Sequence, residues 1–235
     1  MESIDKVKGT FGRGPASRMQ KEDEVPLAII RRLPRYHRFL GELLRAGTLR
    51  ISSAELSRLM GVTASQIRAD FNRFGGFGQQ GYSYNVKYLH SKLGELLGIT
   101  EDYRAVIVGA GNLGRALATS HMFKRRGVTP VALFDNDNSV IGQSIGGIPV
   151  LDVATLPEYL KSEKIDIGVL TVPKDSARAV CDTLAKGGVL GIWNFASSEL
   201  DGIQGVVIEN VHLGDSLLQL TYAMRTGAGG DGTDV

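Results

Sequence analysis

The sequence holds one cysteine in 235 residues, which excludes an internal disulfide framework and a thiolate metal centre. Its four histidines, His37, His90, His121 and His212, stand at no metal-ligand spacing. No apolar run approaches the length of a membrane helix, about 18 uncharged residues. The opening MESIDKVKGTFGRG has no apolar core of signal-peptide type. The expectation is a cytoplasmic chain with no membrane partner. Nor is there an excess of one charge, since 27 Lys+Arg face 25 Asp+Glu, and 43% hydrophobic residues exclude fibres and wholesale disorder. What remains is an ordinary globular protein of one or two domains.

The balanced charge is the sum of two opposite parts. Residues 25–92 carry 11 Lys+Arg against Glu42, Glu55 and Asp70, a net +8, whereas residues 99–235 carry 11 Lys+Arg against 16 Asp+Glu, a net −5. Opposite balances in consecutive segments point to a polyanion-binding module followed by one with another task. At the ends, residues 1–24 and 226–235 have few large apolar side chains to offset the entropy of ordering. They are expected to be a flexible arm and a flexible tail.

From Val25 to Leu97 the periodicity is helical. Ile29, Ile30 and Leu33 lead to Pro34, which suits the first turn of a second helix carrying Tyr36, Phe39, Leu40, Leu43 and Leu44 and ending at Gly47. Ser52-Ser53-Ala54-Glu55 reads as a capping box before a short helix with Leu56, Leu59 and Met60 inward, stopped by Gly61. Thr63-Ala64-Ser65-Gln66 reads as a second box. Its helix buries Ile67 and Phe71, with Phe74 completing the spacing, and turns Ser65, Arg68, Ala69 and Asn72 to solvent. Two short helices about a glycine turn match a helix-turn-helix, whose second member lies in the DNA major groove. Next, Gly75, Gly76, Gly78 and Gly81 loosen the backbone while Tyr82 and Tyr84 alternate as in a hairpin, a plausible wing. A leucine-rich helix, 86–97, follows.

From Arg104 onward short apolar runs alternate with helical stretches near 113–126, 155–162 and 174–186. This implies a mostly parallel, doubly wound α/β sheet, with a last helix over Val211 to Met224. Gly109-Ala110-Gly111-Asn112-Leu113-Gly114 is G-x-G-x-x-G directly after the run Ala105 to Val108, and Asp135 ends the next run 21 residues after Gly114. Gly109 permits a tight turn, Gly111 lets the backbone approach a pyrophosphate, and Gly114 lets helix and strand pack closely. Asp135 can accept hydrogen bonds from a ribose diol. No cation stands among Asn136, Asp137 and Asn138 to meet a 2′-phosphate, so NAD(H) is favoured over its phosphorylated form. Asn194, after Trp193 at the C-terminal end of a strand, is placed for a polar contact to the nicotinamide end. Cys181, inside ARAVCDTL, reads as a small core residue, with a redox-sensing thiol as the alternative.

A dinucleotide fold suggests a dehydrogenase, yet a dehydrogenase needs a substrate pocket, and residues 104–225 are almost consumed by the cofactor fold itself. No spacing resembles a hydride-transfer acid. A DNA-binding module joined to a nucleotide module is better explained as a sensor, with an NAD-dependent enzyme as the rival. In the basic module Ser65 and Arg68 face base edges or phosphates, and Arg31, Arg32, Arg35, Arg50, Arg58 and Arg73 mostly contact phosphate. The full set expected at DNA is Arg50, Ser65, Gln66, Arg68, Asn72 and Arg73, with Gln80 and Tyr82 from the wing.

The segments SSAELSRLMGVTASQIRADFNRFGGFG, GNLGRALA, FDND and GIWNFA, in that order and spacing, resemble the redox-sensing transcriptional repressor Rex family over residues 25–225. The resemblance implies a homodimer with a winged helix-turn-helix domain over 25–98, a Rossmann NAD(H)-binding domain over 99–209, and a dimerisation helix over 210–225 exchanged between protomers. It implies binding to double-stranded operator DNA when NADH is scarce and release as the NADH/NAD+ ratio rises. It also implies that Thr171, Val172 and Pro173 line the nucleotide crevice, that Asn194, Phe195 and Ala196 lie near the nicotinamide, and that Arg38 stands between the domains.

The chain departs from the family pattern at four places. Ser120 stands where the family has a tyrosine of the nicotinamide site, and His212 stands where an aspartate would give Arg38 an anionic partner. Gln79 and Gln80 replace a Lys-Arg pair in the wing, and Ser197 replaces a proline. Arg38, Ser120 and His212 thus form the expected interdomain switch, with a weaker, altered or lost NADH response as the alternative to the full one.

Overall fold

In the computed structural model, which describes residues 26–73 and 83–227, Pro34 does not open a second helix but sits inside one continuous helix, α1 (Leu27–Arg45). An interior proline removes one ladder hydrogen bond and costs about 3 kcal/mol. The stripe Ile29, Leu33, Tyr36 and Leu40 runs through it, buried on both sides of the proline, and Pro34 itself is exposed. Tertiary burial therefore outweighs the local break. Gly47, at φ 76°, ends the helix as expected.

The described chain forms two units, one reaching to Thr100 and one running from Glu101 to Tyr222. In the first, α1 is followed by β1 (Arg50–Ile51), α2 (Ser53–Met60), α3 (Ala64–Arg73), β2 (Tyr84–Asn85) and α4 (Val86–Leu96). The capping box of α2 is complete, with Ser52 and Glu55 exchanging side-chain-to-backbone bonds, and Gly61 in the left-handed region stops the helix. Leu56 and Met60 are buried, but Leu59 is not inward: it lies on the edge of the stripe and is 51% exposed. The second box is only half formed. The Gln66 N–H donates to Thr63 Oγ1 at 3.2 Å, whereas the Gln66 amide turns to Asp70. β1 and β2 pair antiparallel, Ile51 opposite Tyr84. The expected wing, with Phe74, Gln79, Gln80, Tyr82 and its glycines, lies outside the described residues, as do the terminal arm and residues 228–235.

Two histidines left unexplained by spacing are packing residues. His37 of α1 and His90 of α4 stack with ring centroids 4.0 Å apart. Each lies over a glycine of the opposite helix, since a Cβ on Gly41 would sit 3.2 Å from His90 Nε2 and one on Gly94 3.5 Å from His37 Nε2. Burial holds the His90 imidazole below its ordinary value, favouring the neutral ring.

The second unit alternates β3 (Tyr103–Val108), α5 (Asn112–Ala118), β4 (Val128–Asp135), β5 (Ser144–Ile145), β6 (Ile148–Asp152), α6 (Leu156–Ser162), β7 (Ile167–Leu170), α7 (Lys174–Lys186), β8 (Gly191–Asn194) and β9 (Val207–Asn210). The sheet order is β5-β6-β4-β3-β7-β8-β9, parallel except for β5 with β6. The order reverses between β3 and β7, which opens a crevice at their carboxyl ends. Val106 and Val108 pack against α6 and α7 on one face, and Ile107 packs with Leu117 and Phe123 on the other.

The second unit departs from the sequence expectation at two places. The helix expected near 113–126 stops at Ala118, because the Thr119 hydroxyl bonds back to the Arg115 and Ala116 carbonyls and Ser120 Oγ accepts from the Met122 N–H. Local hydroxyls compete with the ladder. The β5–β6 hairpin forms where no strand is expected: Gly146 and Gly147, both at positive φ, supply the two-residue turn such hairpins need. The last helix, α8 (Leu213–Thr226), has helical spacing as expected. No helix among the described residues is long and apolar enough to cross a membrane.

Candidate nucleotide and nucleic-acid sites

The glycine loop joins β3 to α5 at the switch point, and each glycine has a different physical reason. Gly109 has φ 105°, and a Cβ there would lie 2.7 Å from the Thr171 carbonyl oxygen. A Cβ on Gly114 would run into the Gly109 carbonyl and lie 2.9 Å from Thr171 Oγ1. Thr171 closes this knot by donating its hydroxyl to Gly109 O at 2.8 Å. Gly111 is different. Its φ of −70° suits any residue, and a Cβ there would meet nothing within 4 Å. The fold does not require glycine at this position; what a side chain would fill is the open approach to the first turn of α5, which no side chain caps. A pyrophosphate needs that kind of approach.

Asp135 ends β4 beside the loop. Its Oδ2 accepts from the Ala110 N–H at 2.5 Å, and Oδ1 accepts from the N–H groups of Asn136 and Asp137 at 2.8 and 2.9 Å. The carboxylate is held rigidly and braces the loop, a task the motif did not reveal. Asn112 is exposed and Leu113 half-buried at the start of α5. Across the crevice Thr171 and Val172 are half-buried and Pro173 caps the start of α7. The residues present fit a dinucleotide at its phosphate and ribose ends.

At the far end the arrangement differs from expectation. Asn194 does not offer its amide to a ligand: it is fully buried, donates to Ser198 O and Asn210 Oδ1 at 2.8 Å each, and accepts from the Ala196 N–H. It ties β8 to the segment that follows it and to Asn210, the last residue of β9. Beside it Trp193 and Phe195 meet edge-on at 4.5 Å, and Phe123 lies 6.1 Å from Trp193. Half-buried Ser120 stands at the end of α5. His212 Nε2 lies 3.7 Å from Glu199 Oε1 without a hydrogen bond. Burial, with Asp182 nearby, pushes the Cys181 thiol up to about 11, so it stays protonated near neutrality and packs as a small core residue.

In the first unit, α3 presents Ser65, Ala69 and Asn72 in the middle of an exposed face, flanked by Gln66 and Arg73 on one side and Arg68 on the other. Arg68 donates to Ser53 Oγ at 3.0 Å, and Arg50 is exposed on β1. Two arginines expected at phosphate are otherwise engaged. Arg32 forms a two-pronged pair with Asp70, both bonds 2.8 Å, and Arg35 donates to the Met60 carbonyl at 2.5 Å, at the last residue of α2. Tyr36 also donates to Asp70, at 2.7 Å. Burial opposes ionisation of Asp70, but the bonds from Arg32, Tyr36 and Gln66 outweigh it and hold the carboxyl below the usual carboxylate value. Composition counted Asp70 only as one negative charge; its place opposite the α1 arginines was visible only in three dimensions. Arg38 is exposed, its guanidinium 5.8 Å from the Phe39 ring.

Comparison with known proteins agrees with this division. A family model described as "CoA binding domain" matches residues 100–198, and one described as "Putative DNA-binding protein N-terminus" matches residues 24–72. The redox-sensing transcriptional repressor Rex of Clostridium tetani is 50% identical over 207 residues, 88% of this chain and 98% of the relative. The protein of that name from Clostridioides difficile is 50% identical over 203 residues, 86% and 97% of the two chains. Among solved structures, the Rex-family repressor RSP in complex with β-NAD+ and operator DNA aligns with a TM-score of 0.83 at 47% identity, covering 88% of this chain and 95% of that one. RSP in complex with β-NADH aligns at 0.81 and 44% identity, covering 88% and 97%.

Proposed function

Since this chain belongs to the Rex family of redox-sensing transcriptional repressors, we propose that it binds operator DNA through α3 and senses the NADH/NAD+ ratio through the crevice between β3 and β7. It is a regulator and not an enzyme. The observation that carries the proposal is Gly111, a glycine the fold does not need, opening onto the start of α5 beside the fixed carboxylate of Asp135.

In this reading the backbone of Gly109 to Gly114 receives the pyrophosphate, Asp135 the ribose, and Thr171, Val172 and Pro173 wall the crevice. The dinucleotide, when bound, supplies a nicotinamide ring that is cationic when oxidised and neutral when reduced. Trp193, Phe195 and Ala196 surround that end, while Asn194 holds the wall in place. Arg50, Ser65, Gln66, Arg68, Asn72 and Arg73 meet DNA, joined by Gln80 and Tyr82. Arg38, Ser120 and His212 take part in the switch.

On α8, Leu213, Leu217, Leu220 and Met224 recur at helical spacing as one stripe and are each more than half exposed. That stripe is the dimerisation surface, exchanged between protomers, so that two copies of α3 meet two successive half-sites. A protein working on operator DNA acts inside the cell, here in the cytoplasm. Coupling needs only differential affinity: an effector that favours one state by about 1–3 kcal/mol shifts operator occupancy about 5- to 150-fold. Titration of NADH and of NAD+ into a labelled operator complex tests the proposal. Release at lower NADH than NAD+ is expected, and identical curves overturn redox sensing.

A further inference from the structure

Resting on the reading of α3 as the DNA-facing helix, we infer that Gln66 is a specificity-determining residue that presents a hydrogen-bond acceptor to the major groove. Asp70 is the positioning residue that holds it so. Gln66 is exposed in the first turn of α3, where groove-reading helices contact base edges. Its Nε2 donates to Asp70 Oδ1 at 2.9 Å. Asp70 is 0% exposed and clamped by Arg32 and Tyr36, so its carboxylate cannot turn out to follow a ligand.

An ionised carboxylate only accepts hydrogen bonds. The amide of Gln66 must therefore set its NH2 toward Asp70 and its Oε1 away; the flipped amide would oppose two acceptors. Duplex DNA offers few partners to an outward carbonyl. Phosphate oxygens, guanine O6 and N7 and thymine O4 are all acceptors, and the donors in the major groove are the amino groups of adenine N6 and cytosine N4. One Nε2 hydrogen stays free of Asp70, so the outward edge keeps a donor. What Asp70 fixes is that Oε1 faces out as well. At the base Gln66 reaches, that oxygen is satisfied by an amino base, adenine or cytosine, and not by a keto base, guanine or thymine. Arg68, on the other flank and a pure donor, has the opposite preference.

The test uses the full chain and a duplex that it selects from randomised DNA. In one series single adenines or cytosines are replaced by purine or 2-pyrimidinone, which lack only the amino group; in a second series adenines become 7-deazaadenine, which lacks the N7 acceptor. One half-site position is expected where losing the amino group weakens the wild type by about three- to tenfold and leaves Gln66→Ala unmoved, whatever the 7-deaza series shows there. Asp70→Asn, which lets the amide turn over, is expected to lose that discrimination while still retarding DNA; should it not fold, Gln66→Ala against the wild type decides. Equal weakening of all duplexes by Gln66→Ala, or a Gln66-dependent position that is lost on 7-deaza substitution but not on loss of the amino group, overturns the inference alone. A wild type that selects no duplex overturns the DNA-binding reading and this inference with it.

Discussion

In the first unit, α3 is held by a carboxylate shared among Arg32, Tyr36 and Gln66; in the second, the glycine loop is held by the lack of side chains at Gly109 and Gly114, with Thr171 locking them. The two devices suit their settings. α2 and α3 are short, bury a narrow stripe each, and gain little orientation from hydrophobic contact, which is non-directional. A buried polar cluster with fixed geometry supplies the missing direction. The parallel strands of the second unit are already oriented by their ladders, so its site needs close approach of backbone to backbone, and any added atom is a collision.

That contrast can be broken at its strongest point by Gly114→Ala. The new Cβ strikes the Gly109 carbonyl, which cannot move without parting β3 from α5. Loss of about 4 kcal/mol from the second unit, with dinucleotide binding abolished, is expected in calorimetry; a variant that melts and binds like the wild type would show that the loop is not held by close packing.

Asp70→Ala attacks the other device and leaves Arg32 and Tyr36 facing an empty acceptor. Arg32 is 29% exposed and partly rehydrates, so the expected cost is about 2–3 kcal/mol, below that of a fully buried pair, and confined to the first unit. The same residue predicts acid behaviour. Its carboxyl titrates below the ordinary value of 3.8, so its stabilising contribution is complete above that pH and is lost as pH falls through the lower folded value. Denaturation followed between pH 5 and 2 should show the wild type losing this increment and the alanine variant having none to lose. Parallel acid profiles for the two would refute the assignment.

The finest distinction concerns local against tertiary stabilisation. Ser52→Ala removes one half of the α2 capping box and should cost about 1 kcal/mol, visible as a small shift in urea midpoint without change in dinucleotide affinity. A change in that affinity would contradict the separation of the two devices.

Much of the site was legible because its signals are local. G-x-G-x-x-G after an apolar run and Asp135 at the next strand end require only neighbouring residues, and so do the Ser52 box and the stop at Gly61. Expectations failed where distant residues compete. Pro34 reads as a boundary until burial of Ile29, Leu33, Tyr36 and Leu40 joins the two halves of α1. Arg32 and Arg35 read as phosphate contacts until the fold brings Asp70 and the end of α2 within their reach. Asn194 reads as a ligand contact until Ser198 and Asn210 take its amide.

By itself the sequence determined the alternation of strands and helices, the glycine cradle and the basic exposed face of α3, because periodicity, turn chemistry and charge act between residues close along the chain. Only the tertiary structure decided which charged and polar groups are left for ligands. A hydrogen-bond donor or acceptor is consumed by whatever partner folding brings near, and residues as far apart as Arg32 and Asp70 become neighbours only when the helices pack.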